Sequence, residues 1–481
     1  MFLYPLPSYF ASFFHFVGFS FVDSFKIVMA SAFILSGITM YLWVRRFLGE
    51  YAGVIAGALY MFAPYRFVDL YVRGDIGEHI AFLFPPLILY FLLLLNDSKT
   101  TIQKYWYGIL ASLSIAGLVL AHNAVSLMFL PFIIVYNLYL FYEEKNIKNL
   151  IFSGFTVLFG LLLSAFFWIP ALFEGKYTLR DIVTGHGEYA SRFVNIQSLI
   201  YGSWNYGQTG QFTVQIGIIQ IAALIIFPFV LAYLYKRKIQ QSLLYILVFL
   251  YAVTGIFVML PISQFIWSHI SLLQKFQFPW RFLGIVVFAT AVLAAFFVSL
   301  FKGRVQKMII IILIVLMLFF THTDWHAKGY QIKPSTFYTG VYPGTTDTGE
   351  SSPIWSVRFM EHKAKGPIDI IGGDAVVKVG KRTFNDHVYS VKVASNTAQL
   401  KENTLYFPGW NLFIDGKESE FQFQDPHNRG LMTFFVTKGT HRVEFRFKNT
   451  KIRMMSEWLS LGALLLVLGG IIVVSSKRKK A

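Results

Sequence analysis

Residues 282–301 read FLGIVVFATAVLAAFFVSLF, a run of twenty residues without an ionisable side chain. A helix rises about 1.5 Å per residue, so roughly 20 apolar residues suffice to span the hydrocarbon core of a bilayer. Working outward from this stretch, we find about eleven such runs along the chain. They lie near 24–48, 50–66, 76–95, 103–120, 124–142, 148–171, 212–236, 242–261, 280–301, 306–321 and 453–475. The sequence therefore predicts a mainly α-helical, multi-pass membrane protein.

The composition of the whole chain supports this class. Of the 481 residues, 56% are hydrophobic and 14% are charged, whereas a soluble globular protein carries about 25% charged residues. This excludes an ordinary cytosolic enzyme, a disordered chain and a nucleic-acid-binding module. The net charge of +17 must therefore be interpreted from its position in the loops. The absence of cysteine excludes thiol catalysis, disulfides and cysteine-bound metals.

Lysine and arginine are distributed unevenly between the two sides of the predicted bundle. One side and the tail hold sixteen of them: Arg45, Arg46, Lys99, Lys104, Lys145, Lys148, Lys236, Arg237, Lys238, Lys302, Arg304, Lys307, Lys477, Arg478, Lys479 and Lys480. The short connections on the other side hold four: Arg66, Arg73, Lys275 and Arg281. Because cytoplasmic loops concentrate Lys and Arg, we expect the basic side and the C-terminus to be cytoplasmic.

The region 322–452 has the pattern of β-structure instead of apolar helices. Apolar and polar residues alternate in Ala375–Val379, Tyr389–Ala394 and His441–Phe447, as in strands with one buried face. Asp415-Gly416 is a typical two-residue hairpin turn. The region is long enough to form a domain, and we expect an antiparallel β-sandwich on the extracytoplasmic side.

The expected organisation has three parts. A transmembrane helical bundle occupies 1–321 and carries a polar, glycine-containing outer loop at about 173–211. The β-sandwich follows at 322–452, and a last transmembrane helix with a basic cytoplasmic tail occupies 453–481. Residues 1–23 have no basic start and no cleavage site, so they do not read as a signal peptide. We interpret them as an aromatic loop at the outer membrane interface.

Ionisable residues concentrate at the predicted outer ends of the helices, where burial is costly and indicates function. The densest stretch is Tyr65–His79, which contains Asp69, Arg73, Asp75 and Glu78. We expect Arg73 and Asp69 to bind substrate, with Arg73 on an anionic group, and Asp75 or Glu78 to act as base or metal ligand. A local interpretation also stays open, in which Asp75 caps the next helix and Glu78 completes a capping box.

Two other outer turns carry candidates. His122 is expected to move a proton or bind a hydroxyl, whereas Asn123, a further binding candidate, is also a suitable cap for the following helix. Trp280 and Arg281, at the start of the predicted span 280–301, are further binding candidates. Alternatively, Trp280 belongs to the aromatic belt at the membrane interface, and Arg281 extends its charged end to the lipid head groups. The cluster His322–His326 reads more readily as a solvated polar collar than as a metal site.

Four short motifs resemble those of one family of membrane proteins. They are Tyr4–Tyr9 (YPLPSY), Arg73–Glu78 (RGDIGE), Ala121–Asn123 (AHN) and Pro279–Arg281 (PWR). The family is described as 6-pyruvoyl-tetrahydropterin synthase-related, but the zinc-binding histidine set of the soluble pterin enzyme has no counterpart here. The family in turn resembles the GT-C superfamily of polytopic glycosyltransferases, which use polyprenyl-phosphate sugars.

The second part of the chain carries a related resemblance. Tyr406–Trp410 (YFPGW), Asp415–Lys417 (DGK), Lys438–Phe445 (KGTHRVEF) and the closing helix resemble the C-terminal part of YfhO-like proteins, which are also counted among GT-C enzymes. GT-C proteins usually begin with a span and an outer loop that bears an acidic residue. The resemblance therefore implies that this chain lacks the N-terminal span and the first outer loop of the family, and with them its principal catalytic carboxylate.

These resemblances imply a glycosyltransferase in the cell membrane, with a polyprenyl-phosphate sugar as donor, a glycan or lipid as acceptor, and surrounding membrane lipid. The implied catalytic residues are Glu78, Asp75 and His122, and the implied binding residues are Arg73, Arg281, Asn123, Trp280 and Asp69. No metal ligand is assigned, although a divalent metal is left open as a cofactor. A transporter or flippase of lipid-linked sugars, or a non-catalytic scaffold, is the alternative.

Overall fold

The structure, a computed structural model, describes residues 3–185, 187–206, 212–236, 242–339, 349–359 and 361–478. Four of the basic residues behind the predicted orientation lie outside the described residues: Arg237, Lys238, Lys479 and Lys480. The chain divides into two compact units. The described residues of 169–186 and 339–458 form one unit, and those of 3–168, 187–338 and 459–481 form the other.

The larger unit is helical. The α-helices of the chain are α1 Leu6–Phe16, α2 Phe21–Leu48, α3 Glu50–Met61, α4 Pro64–Phe67, α5 Ile76–Ala81, α6 Phe84–Asn96, α7 Thr101–Ala121, α8 Asn123–Glu144, α9 Ile147–Leu163, α10 Ala165–Phe173, α11 Arg180–Gly185, α12 Ile196–Ile200, α13 Ile218–Lys236, α14 Ser242–Met259, α15 Gln264–His269, α16 Ser271–Gln274, α17 Leu283–Ser299, α18 Gly303–Thr321, α19 Ser335–Thr339 and α20 Lys451–Arg478. A π-helix occupies Val68–Arg73, and short 3₁₀ turns occupy Gly175–Tyr177, Glu188–Arg192, Pro261–Ser263 and Pro279–Phe282.

Seven helical segments of the described chain are long and apolar enough to cross a bilayer. They are Phe21–Leu48, Ile76–Asn96, Thr101–Ala121, Asn123–Glu144, Pro279–Ser299, Gly303–Thr321 and Lys451–Ile472. Two helix pairs, Ile147–Leu163 with Ala165–Phe173 and Leu243–Met259 with Pro261–His269, are bent by 70° and 87°. They raise the number to nine if each pair is one span, so the expected count of about eleven is not confirmed.

The predicted span at 50–66 shows why the count differs. The residue before a proline is pushed away from helical dihedrals, and Ala63, which precedes Pro64, is extended with ψ 139°. Helix α3 therefore ends at Met61 after 12 residues, which corresponds to a length of only about 18 Å. The predicted span at 212–236 is also shorter, because its apolar helix covers Ile218–Leu234.

Helix α17, which contains the opening stretch of sequence, lies in the core of the helical unit. The ring of Phe288 contacts the rings of Trp43 on α2 and Phe129 on α8, with centroid distances of 5.4 and 5.3 Å. A helix that is surrounded on all sides by other helices needs no polar face. This explains why α17 is apolar around its whole circumference. The most hydrophobic span is thus the most buried one.

The N-terminal residues depart from the prediction of an interfacial loop. Leu6–Phe16 forms helix α1, with Pro7 in its first turn, where a proline's missing N–H is not needed. The rings of Tyr9, Phe13 and Phe16 remain exposed on this helix. The aromatic residues do not prevent helix formation, and their location at the membrane interface stays a prediction.

The smaller unit contains one antiparallel sheet of six strands. They are β1 Ile368–Gly372, β2 Ala375–Arg382, β3 Asp386–Leu405, β4 Trp410–Ile414, β5 Lys417–Ser419 and β6 Leu431–Phe447. The order is β1-β3-β6-β4-β5, and β2 also pairs with β3. All three stretches with period-2 alternation lie in these strands. Asp415 and Gly416 form the expected turn between β4 and β5, with φ values of +52° and +79°.

The sheet is one bent structure and not a sandwich of two separate sheets. The rings of Phe434 and Phe445, both on β6, lie 5.3 Å apart. On a straight strand, eleven residues would separate them by roughly 36 Å. The pairing of β3 with β6 shifts between Val393 and Thr397, and Gly439 has φ +139° in the same part of β6. The long antiparallel pair of β3 and β6 therefore folds over and encloses its own core.

Candidate functional site

The candidate site forms where α4 leads through the π-helix into α5. A π-helix is rare and often marks a functional position. Gly74 ends this segment in the left-handed conformation with φ +59°, which glycine adopts without steric cost. The turn at Gly74 directs the side chains of Arg73, Asp75 and Glu78 toward one another, so that they meet in one cluster.

Arg73 is the centre of the site. Its Nη1 donates to Asp69 Oδ1 at 2.7 Å and to Glu78 Oε2 at 2.8 Å, and its Nη2 donates to Asp75 Oδ2 at 2.8 Å. The guanidinium also lies over the ring of Trp280, 4.6 Å from the ring centre. One arginine thus joins three carboxylates and an aromatic face, and only 10% of its side chain is exposed.

Glu78 and Tyr65 fix Arg73 from the buried side. The side chain of Glu78 is fully buried, and its Oε1 accepts a short hydrogen bond from the Tyr65 hydroxyl. Arg73 Nη1 contacts the same hydroxyl at 3.2 Å. Glu78 therefore does not close the capping box that the sequence allowed, because both of its oxygens face this network.

Asp75 combines two roles. Its Oδ1 accepts from the backbone N–H of Glu78 at 3.0 Å and caps α5, so the local interpretation of this residue is confirmed. Its Oδ2 binds Arg73 and faces His122 Nε2 at 3.6 Å. Capping alone requires neither of these contacts, so the cap does not exclude a function for Asp75.

His122 reaches the site from the turn between α7 and α8. Its Nδ1 accepts from the Val125 N–H at 3.3 Å, so His122, and not Asn123, caps α8. Its ring packs against Tyr4, with centroids 4.6 Å apart. Tyr4 in turn packs so tightly on Gly77 that a Cβ there would lie 2.5 Å from its ring. A small residue at position 77 is therefore needed for the N-terminal segment to reach the site.

Asp75, Glu78 and His122 each place a potential ligand atom within 4.8 Å of the others. Arg73 binds both carboxylates and Val125 donates to His122 Nδ1, whereas His122 Nε2 has no hydrogen-bond partner among the described residues. A neutral imidazole that accepts at Nδ1 carries its proton at Nε2, so the nitrogen facing Asp75 has no free lone pair. The residues fit an arginine–carboxylate network and not a metal centre, and we assign no metal to them.

The environments of Asp69 and Asp75 separate their protonation states. Burial raises the pKa of Asp69 well above its ordinary value, and the charge of Glu78 adds to this effect. Burial acts in the same direction on Asp75, but His122, Arg73 and Arg281 outweigh it and hold the pKa of Asp75 below its ordinary value. Asp75 is therefore the carboxylate whose ionised form this environment favours, whereas burial favours the neutral form of Asp69.

The turn before α17 contributes the remaining candidates. Pro279 is the first residue of the short 3₁₀ turn, as its ring geometry favours. Arg281 Nη1 donates to the Phe276 carbonyl at 3.3 Å, and its guanidinium lies 5.3 Å from the ring centre of Phe278. Its buried Nε has no hydrogen-bond partner among the described residues. Arg281 is thus close enough to act on Asp75 without contacting it.

Sequence reasoning missed three members of this region. Tyr4 and Tyr65 lie in sequence motifs, but no sequence pattern marks either of them as a site residue. Arg66 is fully buried, where it stacks 4.1 Å from the ring centre of Phe82 and donates to Ser36 Oγ at 3.1 Å. A charged residue next to Pro64 at the end of an apolar run was the available signal, because such residues are seldom left facing lipid.

The fold and this network define a multi-pass membrane protein with a buried polar site at one end of its helices. The chain belongs to the membrane protein family described as 6-pyruvoyl-tetrahydropterin synthase related domain, whose sequence profile matches residues 2–327. This confirms the resemblance seen in the motifs and a location in the membrane.

The comparisons with individual proteins are less informative. The chain is similar to an uncharacterized protein of Lactococcus lactis subsp. cremoris (strain MG1363), with 26% identity over 209 residues. The matched region is 42% of this chain and 33% of that protein, so the similarity spans about a third of the relative's length. No solved structure matches the chain.

Proposed function

We propose that the chain acts as a GT-C-type glycosyltransferase, which transfers a sugar from a polyprenyl phosphate to a glycan or lipid acceptor. The observation that supports this proposal is the network of Arg73, Asp75, Glu78 and His122, buried at one end of an otherwise apolar bundle. Each buried ion costs several kcal/mol to desolvate. Perturbed, buried ionisable groups of this kind concentrate at functional sites.

Arg73 is the proposed phosphate-binding residue. The planar guanidinium of Arg73 matches phosphate oxygens. Its side chain is 10% exposed, so a ligand can reach it. A donor phosphate would exchange for the contact between Nη2 and Asp75, while Nη1 remains held by Glu78 and Asp69. Trp280 supports the guanidinium from its face, and the unpartnered Nε of Arg281 offers a further N–H.

Asp75 is the proposed catalytic base. Released from Arg73 by the phosphate, its ionised carboxylate accepts the proton of the acceptor hydroxyl, and His122 stabilises it from the other side. The hydroxyl oxygen forms a bond with the anomeric carbon. The bond from that carbon to the phosphate oxygen breaks, and polyprenyl phosphate leaves with the electron pair. Glu78 and Tyr65 position Arg73 and do not contact the substrate.

The positions of the basic residues support a site at the outer face of the membrane. Helix α8 runs from His122 in the site to Lys145, and the helix that starts at Pro279 leads to Lys302. Both helices have the site at one end and a basic loop at the other. With the basic side cytoplasmic, the site and residues 322–452 are extracytoplasmic, as proposed from the sequence.

The experiment uses the full-length protein in nanodiscs with a set of radiolabelled polyprenyl-phosphate hexoses and a membrane glycan extract as acceptor. We expect release of polyprenyl phosphate, a loss of at least about 100-fold in rate for Asp75→Asn, as for a general base, and weaker donor binding for Arg73→Lys. Asp97→Asn is the matched control, because Asp97 pairs with Arg46 at the basic ends of α2 and α6.

Three results would contradict the proposal. Donor lipid that binds but is never cleaved, together with its movement across proteoliposomes, would identify a flippase instead. Equal transfer by Asp75→Asn and the native chain would remove the assigned base. Unchanged donor binding by Arg73→Lys would remove the phosphate role and leave the site without a donor-binding residue.

A further inference from the structure

A cavity with several polar groups in its wall lies in the helical unit at the C-terminal end of α18. It has a volume of about 240 Å³ and is lined by residues of four segments: 62–64, 201–204, 215–220 and 317–324. None of the residues that form the Arg73 network lines it. Its volume is below the range of about 300–1,000 Å³ typical of drug-sized ligands, so it suits an occupant of about one ring.

Asp324 is the buried charged group of this cavity. Only 2% of its surface is exposed, whereas the other four residues of His322–His326 are exposed, so the expectation of a solvated collar fails at Asp324 alone. Its Oδ1 accepts from the Thr323 hydroxyl at 3.1 Å, whereas its buried Oδ2 has no hydrogen-bond partner. Leaving a charged acceptor unpaired in this way is costly, so the free oxygen points to a ligand that donates a hydrogen bond.

The cavity also offers a free donor. The indole Nε1–H of Trp204 is buried without a hydrogen-bond partner in the described structure. The nearby loop is held in place, because the Tyr206 hydroxyl donates to the His326 carbonyl at 2.7 Å and Trp325 packs against Phe62. An unpaired acceptor and an unpaired donor therefore belong to side chains that line the same cavity, and a small rotation of either side chain would turn the unpaired atom toward an occupant.

The remaining lining selects among possible occupants. A phosphate is disfavoured by the carboxylate of Asp324, and a metal ion would meet one carboxylate beside an N–H donor. His322 Nδ1 is already engaged with the Phe319 carbonyl at 2.6 Å. Gln215, Gln220 and Thr321 add polar groups to a wall that is otherwise mostly apolar, and Tyr201 and Phe320 supply aromatic surface. A hydrogen-bond acceptor and a hydrogen-bond donor beside aromatic rings suit an uncharged ligand ring that carries several hydroxyl groups.

We propose that this cavity binds a single neutral sugar residue, with Asp324 Oδ2 accepting from one hydroxyl and Trp204 Nε1 donating to another. The site is separate from the Arg73 network and goes beyond the proposed transferase function, since it requires no transfer. The sugar could be the end of a soluble glycan or the head group of a lipid-linked sugar; the same hydroxyls serve in both.

The test measures sugar binding to the full-length protein in nanodiscs by saturation-transfer NMR. The probes are the methyl glycosides of glucose, galactose and mannose in one arm, and the corresponding polyprenyl-phosphate sugars in the other. We expect Asp324→Asn to weaken binding about 10- to 150-fold, as for a hydrogen bond to a charged group, and Trp204→Phe about 2- to 10-fold. Asp97→Asn, at the other end of the bundle, should bind normally.

The arms identify the source of the sugar. Binding of the methyl glycosides indicates that the ligand is a glycan end, and binding of the lipid-linked sugars alone indicates a lipid head group. Either result supports the proposed sugar site if Asp324→Asn weakens that binding. Native binding by both cavity variants, or no binding of any probe to the native chain, overturns the proposal. Since Arg73 is outside the cavity, transfer lost only in Arg73 variants would leave the proposed function standing while the cavity fails.

Discussion

Replacing Arg73 by alanine should leave buried negative charge without its partner. Arg73 donates to Asp69, Glu78 and Asp75 at 2.7–2.8 Å, and the first two carboxylates have fully buried side chains. Removing one partner of a buried ion pair typically costs about 3–5 kcal/mol, because the other charge stays behind. Burial raises the pKa of Asp69 and so lowers the cost of leaving it without Arg73; we therefore assign the loss mainly to Glu78 and expect Arg73→Ala to lower the free energy of unfolding by about that amount.

A double variant shows whether the loss of stability in Arg73→Ala comes from the unbalanced charge of Glu78 or from lost packing. In Arg73→Met/Glu78→Gln the charge and its main partner are removed together, and replacing both partners can be nearly neutral. We expect this variant to recover at least half of the loss. The sign of the pH effect follows as well. Orphaned carboxylates bind more protons in the folded state than in the unfolded state, so the deficit of Arg73→Ala should be larger at about pH 8 than at about pH 5.

Thermal unfolding in nanodiscs, followed by tryptophan fluorescence and confirmed by size-exclusion chromatography, measures these differences. Arg45→Ala is the control, because Arg45 is exposed and its Nη1 donates to the hydroxyl of Tyr41 and not to a buried carboxylate. Exposed substitutions usually stay within about 0.5 kcal/mol. If Arg73→Ala were as stable as this control, or if the double variant were as unstable as the single one, the electrostatic reasoning would be wrong.

Three further predictions concern packing and protonation. Gly77→Ala should destabilise the helical unit by about 1–3 kcal/mol, because the new Cβ would lie 2.5 Å from the Tyr4 ring and 2.8 Å from the Ala121 carbonyl; unchanged thermal unfolding would contradict this. Phe434→Ala should cost about 3–5 kcal/mol in the sheet unit, measured by urea unfolding followed by far-UV circular dichroism, and a loss below 1 kcal/mol would contradict the bent-sheet core. Burial raises the pKa of Asp324 to about 6 despite the opposing effects of the Thr323 hydroxyl and of His322, so the folded state holds its proton over about pH 4–6 and loses stability as pH rises through that window. Asp324→Asn should therefore unfold at a higher temperature than the native chain at about pH 8 and at the same temperature near pH 4, and equal unfolding at both would refute this.

Elements whose pattern is local could be predicted from the sequence. Helices α17 and α18 follow from uninterrupted apolar runs, and the turn at Asp415-Gly416 follows from two residues that accept positive φ. The count of spans could not be predicted as well, because hydropathy does not report chain direction. The proline at 64 ends α3 early, and the segments after Leu163 and Met259 turn by 70° and 87° without a loss of apolar character.

The bent sheet shows a different limit. Period-2 alternation located β2, β3 and β6, since it depends only on which face is buried. Whether two faces belong to two sheets or to one folded sheet depends on where a long strand bends. The bend rests on Gly439 and on a register shift opposite it, and a single glycine within a strand is compatible with a bulge, a bend or a close backbone approach.

The candidate site was predictable as a set of residues but not as a set of roles. Charged residues at helix ends in an apolar chain are conspicuous, so Asp69, Arg73, Asp75 and Glu78 could be named from the sequence. Their hydrogen bonds could not, because Tyr65 carries no charge, and because the choice of His122 over Asn123 as a cap depends on the backbone at that turn.

Protonation is the property that decides how such a site works, and it is furthest from the sequence. Asp69 and Asp75 are the same residue type, six positions apart, and both contact Arg73. Burial beside Glu78 favours the neutral form of Asp69, whereas His122 and two arginines favour the charged form of Asp75. Asp75 is also the more exposed of the two, with 17% of its side chain accessible against none. The carboxylate whose pKa is lowered is therefore also the one that solvent reaches, whereas the carboxylate whose pKa is raised is shielded behind Arg73.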